Sequence, residues 1–234
     1  MRIGVDLGGT NVRAGLVKDG RIVRLLSEPC KADRPEGEVV DQIASLIGKL
    51  ITSDVARIGI GVPSVVDAAR GIVYNVVGIP SWREVYLKDL LEKRFGVPVY
   101  VNNDCNCFAL GVSRFGEASA YSDVVCVALG TGVGGAVISD GRMVAGANGA
   151  AGEFGHMTIN PAETETCACG RRGCVQQYVS ASGIARLARK YLAEHEEESA
   201  LRSVEKLTTK DVFDAAKNGD SAANAILELS LIHI

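Results

Sequence analysis

The stretch 2-RIGVDLGGTNVRAGLVKDGRIVRLL-26 reads as three short strands, 2–7, 12–17 and 21–26. A Gly-Gly-Thr turn joins the first two, and Asp19-Gly20, a favoured hairpin pair, joins the last two. The same unit returns near 123–145. Residues 123–129 (DVVCVAL) form a buried strand, the loop GTGVGG follows, and strands 135–139 and 142–145 meet at Asp140-Gly141. A whole strand–glycine turn–strand–turn–strand unit that recurs so far along the chain is a duplication of architecture, not a solenoid repeat. It predicts an α/β protein of two similar lobes, 1–117 and 118–234, with a ligand cleft between them.

The intervening segments fit that plan. Val39, Val40, Ile43, Leu46, Ile47 and Leu50 recur at helical spacing, and 85–95 reads as a second helix. Strands are expected at 55–62, ended by Pro63, and at 97–102; a helix carrying Phe108, Ala109 and Val112 begins at Asp104. Beyond the second glycine loop, helices are expected near 176–193 and 208–217, the latter starting at Thr208 or Thr209 and stopping at Gly219. A further helix starts after Asp220 and runs into the closing LELSLIHI. The second lobe lacks the later strand–helix–strand portion of the first, so the sequence is expected to be truncated at its C-terminus.

Composition narrows the function classes. Net charge is 25 − 28 = −3 and no basic run occurs, which argues against a nucleic-acid or anionic-membrane surface. No apolar run approaches the roughly 20 residues that span a bilayer. The N-terminus enters a strand at once, without the build of a signal peptide, so a cytoplasmic protein with mostly reduced cysteines is expected.

In 5-VDLGGTN-11, Asp6 ends a strand and Gly8, Gly9 and Thr10 make the turn. Glycines let backbone N–H groups approach a phosphate, and the Thr10 hydroxyl adds a donor. In 129-LGTGVGG-135, Thr131 and Gly132 repeat the device. An ordinary Gly-rich hairpin explains one such loop; two at matching places in a duplicated unit favour phosphate binding. Neither is followed by Lys-Ser/Thr, and neither is a GxGxxG that opens a helix. Paired hairpin loops of this kind resemble the sugar kinase, Hsp70 and actin superfamily.

The stretch 101-VNNDCN-106 places Asn103 and Asp104 where a buried strand turns into a helix, the end of an α/β strand where ligands bind. Asp104 is either a helix N-cap or a general base that takes a proton from a substrate hydroxyl. Downstream, 152-GEFGHMTIN-160 and 167-CACGRRGC-174 bring together His156, Cys167, Cys169 and Cys174. One imidazole and three thiolates are a structural zinc set. Unligated core cysteines are the alternative, but the segment is polar and Gly-rich. Cys30, Cys105, Cys107 and Cys126 sit in apolar or strand-end contexts and are expected to be inert.

The ordered features DLGGTN, VNNDCNCFALG, LGTGVGG, GEFGH and CACGRRGC resemble the ROK family of sugar kinases and repressors across the whole chain. The resemblance implies an actin-like ATPase (ribonuclease H-like) duplicated fold with a zinc loop, and ATP, Mg2+ and Zn2+ as cofactors. By position it makes Asp104 the catalytic base. Asn103, Glu153, His156 and Gln176 become sugar ligands, with His156 also on zinc. Asp6, Gly8, Gly9, Thr10, Thr131 and Gly132 become the phosphate cradle.

The chain departs from the family pattern at several places. Gln176 stands where a sugar-binding Glu is usual, Ser64 where Gly is frequent, Gly78 where Asn is common and Val112 where Glu is common. The resemblance implies a glucokinase-like hexose kinase. N-acetylmannosamine or fructose kinases and a non-catalytic sugar-sensing regulator are the alternatives, and a homodimer is the family's assembly. Nothing after Leu229 resembles the family's adenosine-binding continuation, so the chain as it stands is expected to bind ATP weakly and to turn over poorly.

Overall fold

The computed structural model of the chain describes residues 1–76 and 78–231, so the last three residues of LELSLIHI lie outside the described residues. Two compact units emerge, one built from residues 1–126 and 136–152, the other from 127–135 and 153–234.

The first unit opens with β1 (Arg2–Leu7), β2 (Asn11–Lys18) and β3 (Arg21–Pro29), consecutive antiparallel neighbours. After α1 (Glu36–Gly48) comes β4 (Arg57–Val62), parallel to β1. The short strands β5 (Val65–Asp67), β6 (Ile72–Tyr74) and β7 (Glu84–Val85) form a separate antiparallel sheet. Then α2 (Leu87–Phe95), β8 (Val99–Asn103) and α3 (Asp104–Phe115) follow, with β8 parallel to β4. The main sheet therefore runs β3-β2-β1-β4-β8.

Sequence pattern explains how these elements pack. Along β1 burial alternates strictly, with Ile3, Val5 and Leu7 inward and Arg2, Gly4 and Asp6 outward. Period-2 alternation thus fixes Asp6 on the open face at the strand's carboxyl end. In α1, Val39, Val40, Ile43, Ala44, Leu46 and Ile47 are buried and join Ile58, Ile60, Val99 and Val101 in one core. Burying such aliphatic side chains contributes about 1.5–3 kcal/mol each. Glu36 and Glu38 in the first turn of α1 suit its positive end, and α2 stops at left-handed Gly96. Of the residues named for α3, Ala109 is buried, together with Asn106, and Phe108 is 56% exposed.

The chain then forms β9 (Val124–Leu129), β10 (Val133–Ser139) and β11 (Arg142–Met143), a sheet in the order β11-β10-β9. The tip of the β9–β10 hairpin belongs to the second unit. That unit continues through a long loop into α4 (Gln176–Val179), α5 (Ala181–Glu194), α6 (Thr209–Lys217) and α7 (Ser221–Leu231). The single helix expected over 176–193 is two, divided at Ser180. The Ser180 hydroxyl accepts from Gly183 N–H at 2.9 Å and donates to Gln176 O at 2.6 Å, so it caps α5 while closing α4. Thr208 and Asp211 complete a capping box on α6. The core of this unit gathers Val133, Tyr178, Ile184, Leu187, Ala188, Leu201, Val212 and Ile226.

Candidate functional site

In the first unit, three parallel strands end together. Asp6 stands in register with Gly61, and Gly61 with Asn102. The chain turns from β8 into α3 one residue further on. A Cβ at Gly61 would meet Asp104 Cα at 3.4 Å and Cys107 Cβ at 3.6 Å, so the missing side chain is what lets α3 start against β4.

Asn103 is the N-cap. Its Oδ1 accepts from Asn106 N–H at 3.1 Å and its Nδ2 donates to Ser64 O at 3.2 Å. That leaves the amide one hydrogen and one lone pair for any ligand. Asn103 has taken the capping role that the sequence left open for Asp104, and Asp104 is the first residue of the helix. Its Oδ1 accepts from Cys105 N–H at 2.8 Å. Burial, reinforced by the Asp6 charge, raises the Asp104 carboxyl above the ordinary aspartate value against the pull of its bonds to Cys105. A half-buried carboxylate with a raised affinity for protons is suited to accept one from a hydroxyl.

The glycine turn lies at the same end of the sheet. Gly8 N–H donates to Asn11 O at 2.9 Å, Thr10 O accepts from Cys30 N–H at 2.9 Å, and Gly9 and Thr10 are exposed. Asp6 pairs loosely with Arg13 at 3.5 Å, both about half exposed. Such a pair contributes little to stability and leaves Asp6 open to a cation. The Cys107 thiol is pushed up to about 11, chiefly by burial and then by Asp104 and Asp6, which makes it a poor nucleophile.

The second unit holds the cysteine cluster. The ligand atoms of His156, Cys167, Cys169 and Cys174 all lie within 4.8 Å of one another. His156 Nδ1 is 3.7 Å from Cys167 Sγ, and Cys169 Sγ is 3.6 Å from Cys174 Sγ. A tetrahedron with zinc–sulfur bonds of about 2.3 Å has edges of about 3.8 Å, so the four donors fit that ion. Burial, then bonding to the Cys169 and Cys167 sulfurs, raises the Cys174 thiol to about 12. The cluster could hold a metal ion.

Local backbone builds this shape. Cys167 N–H donates to Arg171 O at 2.7 Å and Gly170 N–H to Cys167 O at 2.9 Å, curling the chain around the thiols. The His156 turn packs so tightly on β10 that a Cβ at Gly155 would fall 2.2 Å from Val133 O. His156 Nε2 faces away from the thiols, 3.7 Å from Glu153 Oε2. Gln176 Nε2 donates to Cys167 Sγ at 3.2 Å. Within this unit, Ser182 Oγ donates to Thr131 O at 2.8 Å and Ala181 N–H to Gly130 O at 2.8 Å, so the second glycine loop is tied to the helices beside the cluster.

Sequence reading missed the supports of the cluster. Glu163 Oε2 accepts from Tyr178 OH at 2.7 Å and from Arg186 Nη2 at 3.1 Å, while Arg186 Nη1 lies 3.2 Å from Glu165 Oε2. Gln177 Oε1 accepts from Cys174 N–H at 3.1 Å and its Nε2 donates to Glu165 O at 3.0 Å. These residues carry no motif of their own. The one signal was a Glu-x-Glu pair, Glu163 and Glu165, just before the cysteines, with Arg186 and Arg189 on α5.

The sequence profile of the ROK family matches residues 2–234. A glucokinase of Halalkalibacterium halodurans is 36% identical over 97% of this chain, which spans 71% of that protein. A ROK family glucokinase from Streptomyces griseus, solved with glucose and AMPPNP, superposes with a TM-score of 0.81 at 35% identity. The match covers 98% of this chain and 75% of that one. A xylose repressor of Caldicellulosiruptor bescii is 30% identical over 97% of this chain, which covers 59% of the repressor. The α/β fold matches that of solved ROK sugar kinases, the actin-like ATPase architecture.

Proposed function

This chain belongs to the ROK family, and from that premise we propose an ATP-dependent hexose kinase with Asp104 as general base and glucose O6 as its acceptor. The observation that carries the reading is the Asp104 carboxylate, released from capping by Asn103 and raised by burial at the end of three parallel strands. Asp104 takes the O6 proton as O6 bonds to the γ-phosphorus and the bond to the ADP oxygen breaks. Catalysis of phosphoryl transfer is otherwise mostly positioning and charge neutralisation. Asp6, Gly8, Gly9, Thr10, Thr131 and Gly132 are the proposed cradle for Mg-ATP phosphates.

Asn103, Glu153, His156 and Gln176 are the proposed sugar ligands. Asn103 would use its one remaining amide hydrogen, and Gln176 its Oε1, because its Nε2 is engaged by Cys167. His156, Cys167, Cys169 and Cys174 would hold one zinc ion, which fixes the loop that carries Glu153 and His156.

ADP release measured across a hexose panel tests the reaction. A version that continues through the family's adenosine-binding segment should turn over glucose, and Asp104→Asn should lower its kcat by about 10²–10⁴ with circular dichroism unchanged. A mutant that keeps full turnover removes Asp104 from the base role. Because burial raises the Asp104 carboxyl, the acid limb of kcat/KM should fall above pH 3.8, the ordinary aspartate value. The likeness to a xylose repressor favours a second reading, a sugar-binding regulator without turnover. Hexose binding by calorimetry with no ADP release from any sugar would select it.

A further inference from the structure

We propose that Gln176 is a positioning residue that couples the metal cluster to the second glycine loop. The inference rests on the zinc reading of that cluster. Gln176 opens α4 immediately after the last cysteine and reaches two ways. Its Nε2 donates to Cys167 Sγ at 3.2 Å. Its Oε1 lies 3.3 Å from where a Cβ on Gly132 would stand, so the carboxamide is laid against the loop at the point where that loop has no side chain.

The backbone continues the link. Gln176 O accepts from Ser180 Oγ, which lies 3.1 Å from Ser182 Oγ, and Ser182 Oγ donates to Thr131 O. From thiol to loop, the path is one side chain and two hydroxyls, all within one compact unit.

A metal-bound thiolate carries negative charge on sulfur and is stabilised by an N–H donor. Glutamate, the residue usual here in the family, has the same length but no donor, so it cannot make the bond to Cys167 that Gln176 makes. Outer partners that orient metal ligands typically contribute 10–100-fold to affinity. Losing the donor should therefore loosen the metal, and losing the metal should loosen Thr131 and Gly132.

The test uses zinc and cobalt(II) with the parent, Gln176→Met and Gln176→Glu. Zinc affinity is read by competition with a chromophoric chelator. The thiolate-to-cobalt charge-transfer band reads the hydrogen bond to sulfur directly, which a purely structural role would not move. Amide exchange reads the loop. The parent should bind one zinc. Both variants should bind it 10–100-fold more weakly, shift the cobalt band to longer wavelength and exchange faster at Thr131 and Gly132. Parent-like affinity and band in both variants would overturn the coupling while leaving the zinc site standing. A parent without zinc would overturn both. Gln176→Glu preserves side-chain length, so it keeps the test decisive where Gln176→Met fails to fold.

Discussion

At the scale of single residues, Glu163 shows how a side chain far from any motif sets the conditions for one. It is nearly buried and ionised: burial works against its charge, but bonds from Tyr178, Glu165 N–H and Arg186 outweigh burial and hold its carboxyl at about 2. A folded-state value below the unfolded one, 4.5, means stability that is full above about pH 4.5 and lost as pH falls toward 2. The contribution at neutral pH is on the order of 3 kcal/mol. Glu163→Gln should remove it and leave Arg186 with one buried partner fewer. Chemical denaturation at pH 7 and at pH 3 measures this: the gap between parent and variant should be large at pH 7 and shrink at pH 3. An equal gap at both values would show that ionised Glu163 is not the stabilising species. Gly155 argues the same point sterically. Gly155→Ala would drive a methyl into Val133 O, so the His156 turn must shift or the variant must lose about 1–3 kcal/mol; a thermal melt reads the loss.

Secondary-structure elements were legible in the sequence wherever period and punctuation agreed. The β1–β2–β3 unit, α1, α6 and the recurrence at β9–β10–β11 follow from alternation, helical spacing and Asp-Gly turns. The β5–β6–β7 sheet was not legible, because strands of two or three residues are shorter than one readable period. The break at Ser180 was hidden because Ser tolerates a helix interior, and only its two hydrogen bonds reveal a cap. The same ambiguity surrounded Asp104, where sequence offered cap or base and the Asn103 Oδ1 bond decided which residue caps. The metal cluster was readable from residue type and spacing; its supports at Glu163, Gln177 and Arg186 were not, since nothing in the chain announces which polar residues will meet. Cap energetics give a test at this scale. Ser180→Ala should destabilise the second unit by about 1 kcal/mol, the usual worth of an N-cap. It also frees Ser182, so amide exchange at Thr131 should rise.

For the whole molecule, the two units differ in what holds them. The first has a continuous aliphatic core on a five-stranded sheet, running from Ile3 and Leu7 through Ile43, Ile47, Ile58 and Val101. The second has a smaller core, and its segment from Glu153 to Cys174 contains little regular structure beyond one short turn of helix and two isolated bridges. A loop of that length costs conformational entropy that Ile159, its one large aliphatic and only partly buried, does not offset. Structural zinc is the natural counterweight, since apparent binding energies of about 10–16 kcal/mol are reached in small zinc domains. Metal removal should therefore act unevenly. With a strong chelator, amides of Met157, Ile159, Cys167 and Val175, whose backbone bonds define the cluster, should lose protection first. Amides in β1, β4 and β8 should keep theirs, because no cluster residue belongs to that sheet. Exchange followed by mass spectrometry resolves the two regions. Uniform loss of protection across both would mean the metal stabilises the molecule globally, and unchanged protection around Cys167 would mean that the loop stands without metal.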